Sequence, residues 1–291
     1  MPEIKFRKMH GLGNDFVIID RRAHGPNEGQ PLLTEAEAAM IGDRRRGVGC
    51  DQFVEITDPV TQGTSAFLHM RNGNGEPVEA CGNATRCIGR LLADETGKTE
   101  NIVETVAGQL GCTQLDDGTI GVNMGEPGLN AAQIPLSDDT LDTLSLPISL
   151  DVPGLAPLTN PTAVNMGNPH MVFFVEDAEA YPLEEIGPTL EHHPLYPERT
   201  NVSLATIRAD GTIRLRVFER GAGITQACGT AACATIVAAR RRQLIEGQAA
   251  MIILDGGPLI MAYQTDGDVL MTGPASYAFE GVLDLDALMG R

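Results

Sequence analysis

Two short phrases, Ala80-Cys81-Gly82-Asn83 and Ala227-Cys228-Gly229-Thr230, nearly repeat each other about half a chain length apart in a sequence of 291 residues. Each half therefore holds one copy, which is the mark of a duplicated fold. Both phrases run into apolar segments with helical spacing. After Cys81, Ile88, Leu91 and Leu92 fall on one stripe that stops at Thr96-Gly97; after Cys228, Cys233, Ile236 and Val237 do the same, with Arg240, Arg241 and Arg242 at the negative end before Gly247. A sulfur at a helix start lies at the positive end of the dipole, where a thiolate is favoured. A structural cysteine does not need a glycine after it, whereas a backbone that must approach a ligand and offer free amides does.

A second echo supports the duplication. Gly13-Asn14-Asp15-Phe16 precedes an apolar run to Asp20, and Gly167-Asn168-Pro169-His170 precedes another to Glu176. Most of the remaining pattern is short strands: 52–56, 66–71, 101–106, 119–124, 202–208, 212–218, 251–254 and 269–272. Several alternate, as do Ile213, Leu215 and Val217 against Arg214 and Arg216. Thr34 with Glu37 forms a capping box for a helix reaching about Arg45. The stretch 125–161 is rich in Pro, Asp and Gly, and 284–289 reads as a short closing helix. These cues predict two halves, 1–128 with Cys81, completed by 276–291, and 129–275 with Cys228.

The formal charge of −18 provides no basic field to attract nucleic acid or an anionic membrane surface. No apolar run approaches the ~20 residues of a membrane helix, and the N-terminal residues lack the apolar block of an export signal, so a cytoplasmic protein is expected. In that compartment the six cysteines read as free or catalytic thiols rather than a disulfide framework. Cys87 and Cys233 are expected to be core residues of the two helices. Zinc fits poorly, because the cysteine spacings are wide and no histidine cluster accompanies them. The glycines at 11, 13, 47 and 49 do not continue into a dinucleotide-binding pattern.

Two thiols at helix starts suit one kind of chemistry particularly well. Inverting an amino-acid α-carbon needs a base on one face and an acid on the other, and a thiol with a pKa near 8.5 can be tuned to either role near pH 7. The same helix starts present amides to the α-carboxylate, which gains charge as the carbanion forms.

The chain resembles the diaminopimelate epimerase family along essentially its whole length. The resemblance rests on His10-Gly11-Leu12-Gly13-Asn14-Asp15-Phe16, Asp51-Gln52, Asn72, Cys81-Gly82-Asn83, Gly167-Asn168-Pro169-His170, Asn201-Val202, Glu219-Arg220-Gly221 and Cys228-Gly229-Thr230. It implies an α+β fold of two pseudo-symmetric domains, each a mostly antiparallel, barrel-like sheet around a central helix; composition alone would say only mixed α and β. It further implies a cofactor-independent, metal-free enzyme, a homodimer by family expectation, that interconverts LL- and meso-diaminopimelate in lysine and peptidoglycan-precursor biosynthesis. Cys81 and Cys228 would alternate as base and acid, oriented by His170 and Glu219 respectively. Gly82, Asn83, Gly229, Thr230 and Glu219 would hold the reacting end, and Asn14, Gln52, Asn72, Asn168, Asn201 and Arg220 the distal end.

The chain departs from the common family pattern at Ala84 and Ala231, where glycine is usual, and at Ile224, where glutamate is usual. None of these removes a reacting group. A racemase of the same superfamily acting on histidine, proline or hydroxyproline is the nearest rival, but proline-type relatives typically carry histidine in place of Asn83. A thiol redox protein, with Cys81 and Cys228 forming a reversible disulfide, leaves Asn168, His170, Glu219 and Arg220 without a task.

Overall fold

The computed structural model describes residues 3–29 and 32–290. The chain divides into two compact units, Met1–Val122 with Gly273–Arg291, and Asn123–Thr272.

Both units follow one strand plan. An antiparallel hairpin comes first, Ile4–Gly11 with Asn14–Asp20 in the first unit and Thr162–Asn165 with Pro169–Phe174 in the second. Its second strand lies parallel to a third, Gln52–Thr57 or Asn201–Ile207, which pairs antiparallel with a fourth, Ala66–Asn72 or Ile213–Glu219. A two-residue strand, Pro77–Val78 or Gly223–Ile224, leads to the cysteine and its helix. After the helix, Glu100–Thr105 or Ala249–Leu254 runs parallel to the fourth strand and turns into its antiparallel mate, Gly108–Gln114 or Gly257–Tyr263. The first unit gains one more strand, Ser276–Leu283, antiparallel to Ile4–Gly11.

The sheets have two covered faces, which explains why Asn14–Asp20 is buried almost throughout instead of alternating. In the first unit one face meets the helix Gly82–Thr96. The other, with Val17, Ile19 and Phe53, packs with Ala38 and Ile41 of the helix Glu35–Gly42 and with Leu285 and Leu288 of the closing helix Leu285–Met289. In the second unit Met171, Phe173, Val202 and Leu204 pack with Leu183 and Leu190 of the helix Leu183–Glu191 and with the segment from Ala131 to Leu158. The Cys81 helix buries Ile88, Leu91 and Leu92, and the Cys228 helix buries every residue from Ala231 to Ala239. Each fully buried Leu or Ile contributes about 1.5–3 kcal/mol relative to exposure.

Two helix ends differ from the sequence pattern. The capping box Thr34–Glu37 is present, but the helix stops at Gly42 rather than about Arg45. The Asp43 carboxylate accepts from the Arg45 and Arg46 amides at 2.8 and 3.0 Å, a local turn that competes with another helical turn. The helix after Cys228 ends at Arg241, short of Gly247, because Arg241 and Arg242 turn their side chains to the loop atoms of Thr143, Leu144 and Thr162. The helix after Cys81 ends as its sequence indicates, with Gly97 left-handed at φ 71°.

Candidate functional site

Each reactive-cysteine candidate is the residue immediately before its helix, extended at φ −149° and −117° for Cys81 and Cys228. The first-turn amides, Gly82 and Asn83 in one unit and Gly229 and Thr230 in the other, lie at the helix end that lacks intrahelical acceptors for its N–H groups and that suits an anion. Behind Cys81 the turn is fastened by Thr85, whose amide and hydroxyl both donate to the Cys81 carbonyl, at 2.9 and 3.0 Å.

Strand register places the other candidates in matching positions. Phe16 lies opposite Gln52 in the parallel pair of the first unit, as His170 lies opposite Asn201 in the second. Gln52 pairs with Asn72 across the next antiparallel pair; Asn201 and Glu219 lie one step beyond the paired Val202 and Phe218. The halves thus share geometry but differ in chemistry. Where the first unit has Phe16 and Asn72, the second has the titratable His170 and Glu219.

In the first unit Asn83 Nδ2 donates to Asn14 Oδ1 at 3.0 Å, Asn14 Nδ2 to Asp51 Oδ2 at 3.0 Å, and Gln52 Nε2 to Asn72 Oδ1 at 3.2 Å. Asn14, Gln52, Asn72 and Asn83 are therefore joined into amide pairs, and Gln52 Oε1 is buried with no hydrogen-bond partner among the described residues.

In the second unit Cys228 is only 5% exposed. Burial, followed by the nearby Glu219 carboxylate, pushes its thiol pKa well above the usual value. The helix start therefore does not make Cys228 a thiolate, contrary to what its position alone predicts; desolvation and a like charge outweigh the dipole. Cys228 Sγ lies 3.5 Å from Thr230 Oγ1, and Glu219 accepts a hydrogen bond from Thr225. Sequence reading missed Thr225 because its role arises from the turn between Glu219 and Cys228, where no motif marks it.

His170 is fully buried, and burial with the Arg220 guanidinium lowers its pKa to about 3, so it is neutral. Its Nε2 lies 2.8 Å from Asn168 Oδ1. An amide oxygen only accepts, so Nε2 carries the ring proton and Nδ1 is the acceptor. That Nδ1 is buried with no hydrogen-bond partner among the described residues. Asn201 donates to the Pro169 carbonyl at 2.9 Å and accepts from the Arg220 amide at 3.0 Å, tying together the Asn168, His170 and Arg220 segments.

Cys87 and Cys233 are fully buried in their helices, as their spacing predicts. No group of three or more His, Cys, Asp or Glu side chains among the described residues is placed to hold a metal ion. Among the same residues no helix is long and apolar enough to cross a membrane.

A family model described as "Diaminopimelate epimerase" matches residues 6–129 and 162–278. Similar curated proteins include the diaminopimelate epimerase of Rhodospirillum centenum, 50% identical over 287 residues, covering 98% of this chain and 94% of the relative. Another is that of Acidiphilium cryptum, 49% identical over 280 residues and covering 96% of each. Similar solved structures include a hydroxyproline epimerase from Agrobacterium vitis with bound trans-4-OH-L-proline, at 12% identity and TM-score 0.66, covering 97% of this chain and 92% of that one. A phenazine biosynthesis protein of the PhzF family from Bacillus anthracis aligns at 17% identity and TM-score 0.65, covering 97% and 99%. At such identities these two structures speak for the fold, a mostly-sheet α+β architecture.

Proposed function

Because the chain belongs to the diaminopimelate epimerase family and is an isomerase, we propose that it interconverts LL- and meso-2,6-diaminopimelate by moving one proton off and onto the α-carbon without pyridoxal or metal. The observation that carries this reading is the pairing of Cys228 with Glu219 at a helix start, matched by a second cysteine at the equivalent position of the other half.

In this mechanism each half, 1–128 completed by 276–291 and 129–275, contributes one thiol. Cys81 and Cys228 work from opposite faces of the α-carbon, one as thiolate and one as thiol, and exchange roles with the direction of reaction. Glu219 receives or returns the Cys228 proton. Neutral His170 is the group proposed to orient Cys81. The amides of Gly82, Asn83, Gly229 and Thr230 receive the α-carboxylate, whose charge grows as the carbanion forms; such preorganised donors are worth about 3–4 kcal/mol each when removed from comparable sites. Asn14, Gln52, Asn72, Asn168, Asn201 and Arg220 bind the unreacting end, with Arg220 on its carboxylate and amide oxygens on its ammonium.

The product serves lysine and peptidoglycan-precursor synthesis, in the cytoplasm. A homodimer is also proposed, supported by the exposed Phe279 and Val282 on the strand Ser276–Leu283. The test is incubation of purified enzyme with LL-diaminopimelate in D2O. Meso product carrying α-deuterium is expected, and absence of both overturns the reading.

A further inference from the structure

Asp51 has no part in the roles assigned above, yet it stands at the head of a directed hydrogen-bond chain ending on the Cys81 helix. Its Oδ2 accepts from Asn14 Nδ2 at 3.0 Å and from the Asp15 amide at 3.1 Å. Its Oδ1 accepts from Arg44 Nη2 at 2.7 Å, and the same Nη2 reaches Asp15 Oδ1 at 2.7 Å. Asp15 is braced from the other side by Lys8 Nζ at 2.6 Å, and its Oδ1 accepts the Asp51 amide at 2.9 Å. Two cations and two carboxylates thus lock one corner of the first unit.

A carboxylate can only accept, so Asn14 must turn its NH2 toward Asp51 and its carbonyl away. That carbonyl accepts the Asn83 NH2 at 3.0 Å, which fixes Asn83 as the donor of this pair. An amide at position 51 could flip; a carboxylate cannot. We propose that Asp51, clamped by Arg44, is a positioning residue that sets the donor and acceptor polarity of the Asn14–Asn83 pair, and with it the affinity for the amino-acid substrate. The inference rests on the reading above that Asn14 and Asn83 contact substrate. The side chain of Asp51 is 44% exposed and that of Arg44 57% exposed, so their ion pair adds little to folding stability and the contribution falls on binding.

The test compares wild type, Asp51→Ala and Asp51→Asn for KM and kcat with LL-diaminopimelate, alongside thermal midpoints. Asp51→Ala should raise KM about tenfold, the loss of one hydrogen bond to a charged group, while kcat changes by less than about threefold. Asp51→Asn, which keeps an acceptor for Asn14 but loses the one-way constraint, should recover part of that loss. Unchanged KM in Asp51→Ala, a fall confined to kcat, or equal impairment in both variants overturns the proposal. An inactive wild type would instead sink the epimerase reading itself, so the two failures are separable.

Discussion

The Glu219 carboxylate lies against the buried Cys228 thiol, so that burial and negative charge act together to keep the proton on sulfur. A helix start would pull the other way, by 1 kcal/mol or less at an exposed site and about 2 when partly buried, and here it loses. Cys228 accordingly rests as the protonated thiol.

Glu219→Gln removes the like charge and should lower the Cys228 thiol pKa. Alkylation of Cys228 by a small thiol reagent, followed by mass spectrometry across pH, reads the midpoint directly. The same variant should lose epimerase activity by about a hundredfold or more, because no carboxylate remains to exchange the proton. A midpoint that stays in place or rises would contradict the assignment.

His170 carries a stability signature with a definite sign. Its folded pKa of about 3 lies below its ordinary value of 6.5, so the unfolded chain binds the proton first on acidification. The stabilising contribution is complete above pH 6.5 and is lost progressively as pH falls toward 3. Between pH 6.5 and 5 the loss is about 2 kcal/mol. His170→Gln, which does not titrate, should therefore show a shallower fall in thermal midpoint over that interval than wild type. Parallel pH profiles for the two proteins would refute the buried neutral imidazole.

How much of this was legible beforehand depends on the range of the interaction. Strands such as 66–71 and 212–218 were visible because residues two apart share a face, and the cysteine helices because a 3.6-residue stripe ends at Gly97 or in a cluster of arginines. The pairing of Ile4–Gly11 with Ser276–Leu283 was not, since it joins opposite ends of the chain. The helix Leu183–Glu191 was hidden by Pro188, which ordinarily argues against a helix interior. Motif spacing marked Cys228 and Glu219 separately, but the sign of the thiol shift needed their burial. Asp51 was visible as a neighbour of Gln52, while its hold on Asn14 depends on a contact 37 positions away in sequence.

The remaining cysteines should behave as packing residues. Burial pushes the Cys50 and Cys87 thiols up to about 12 and Cys112 to about 11, so none forms appreciable thiolate at pH 8. Brief treatment of the native enzyme with iodoacetamide at pH 8 should label Cys81, which is partly exposed, ahead of all others. Cys233→Ala should keep activity within about threefold, whereas Cys81→Ala and Cys228→Ala should lose about a thousandfold or more. Fast labelling of Cys87, or inactivity of Cys233→Ala in folded protein, would move these residues into the reaction.

Arg242 was read from sequence as a charge at the negative end of the Cys228 helix, and it caps that helix, but its larger task is to bind residues 144–162 of the second unit. Its Nε donates to Thr162 Oγ1 at 2.6 Å and its Nη2 to the Leu144 carbonyl at 3.0 Å and to the Asn160 carbonyl, while the guanidinium lies 5.9 Å from the Phe174 ring centroid. Arg242→Ala leaves three acceptors to find water, at a cost of about 2–3 kcal/mol for the group as a whole. Lysine cannot span the same three acceptors with one compact ammonium, so Arg242→Lys should recover less than half of the lost stability. Because these contacts lie at the far end of the helix from Cys228, kcat and KM of the folded variant should stay within about twofold of wild type at 25 °C while the denaturation midpoint drops. A variant with normal stability would show that the loop is held by its apolar residues alone, chiefly Leu146, Ile148 and Leu158 of the second unit's core.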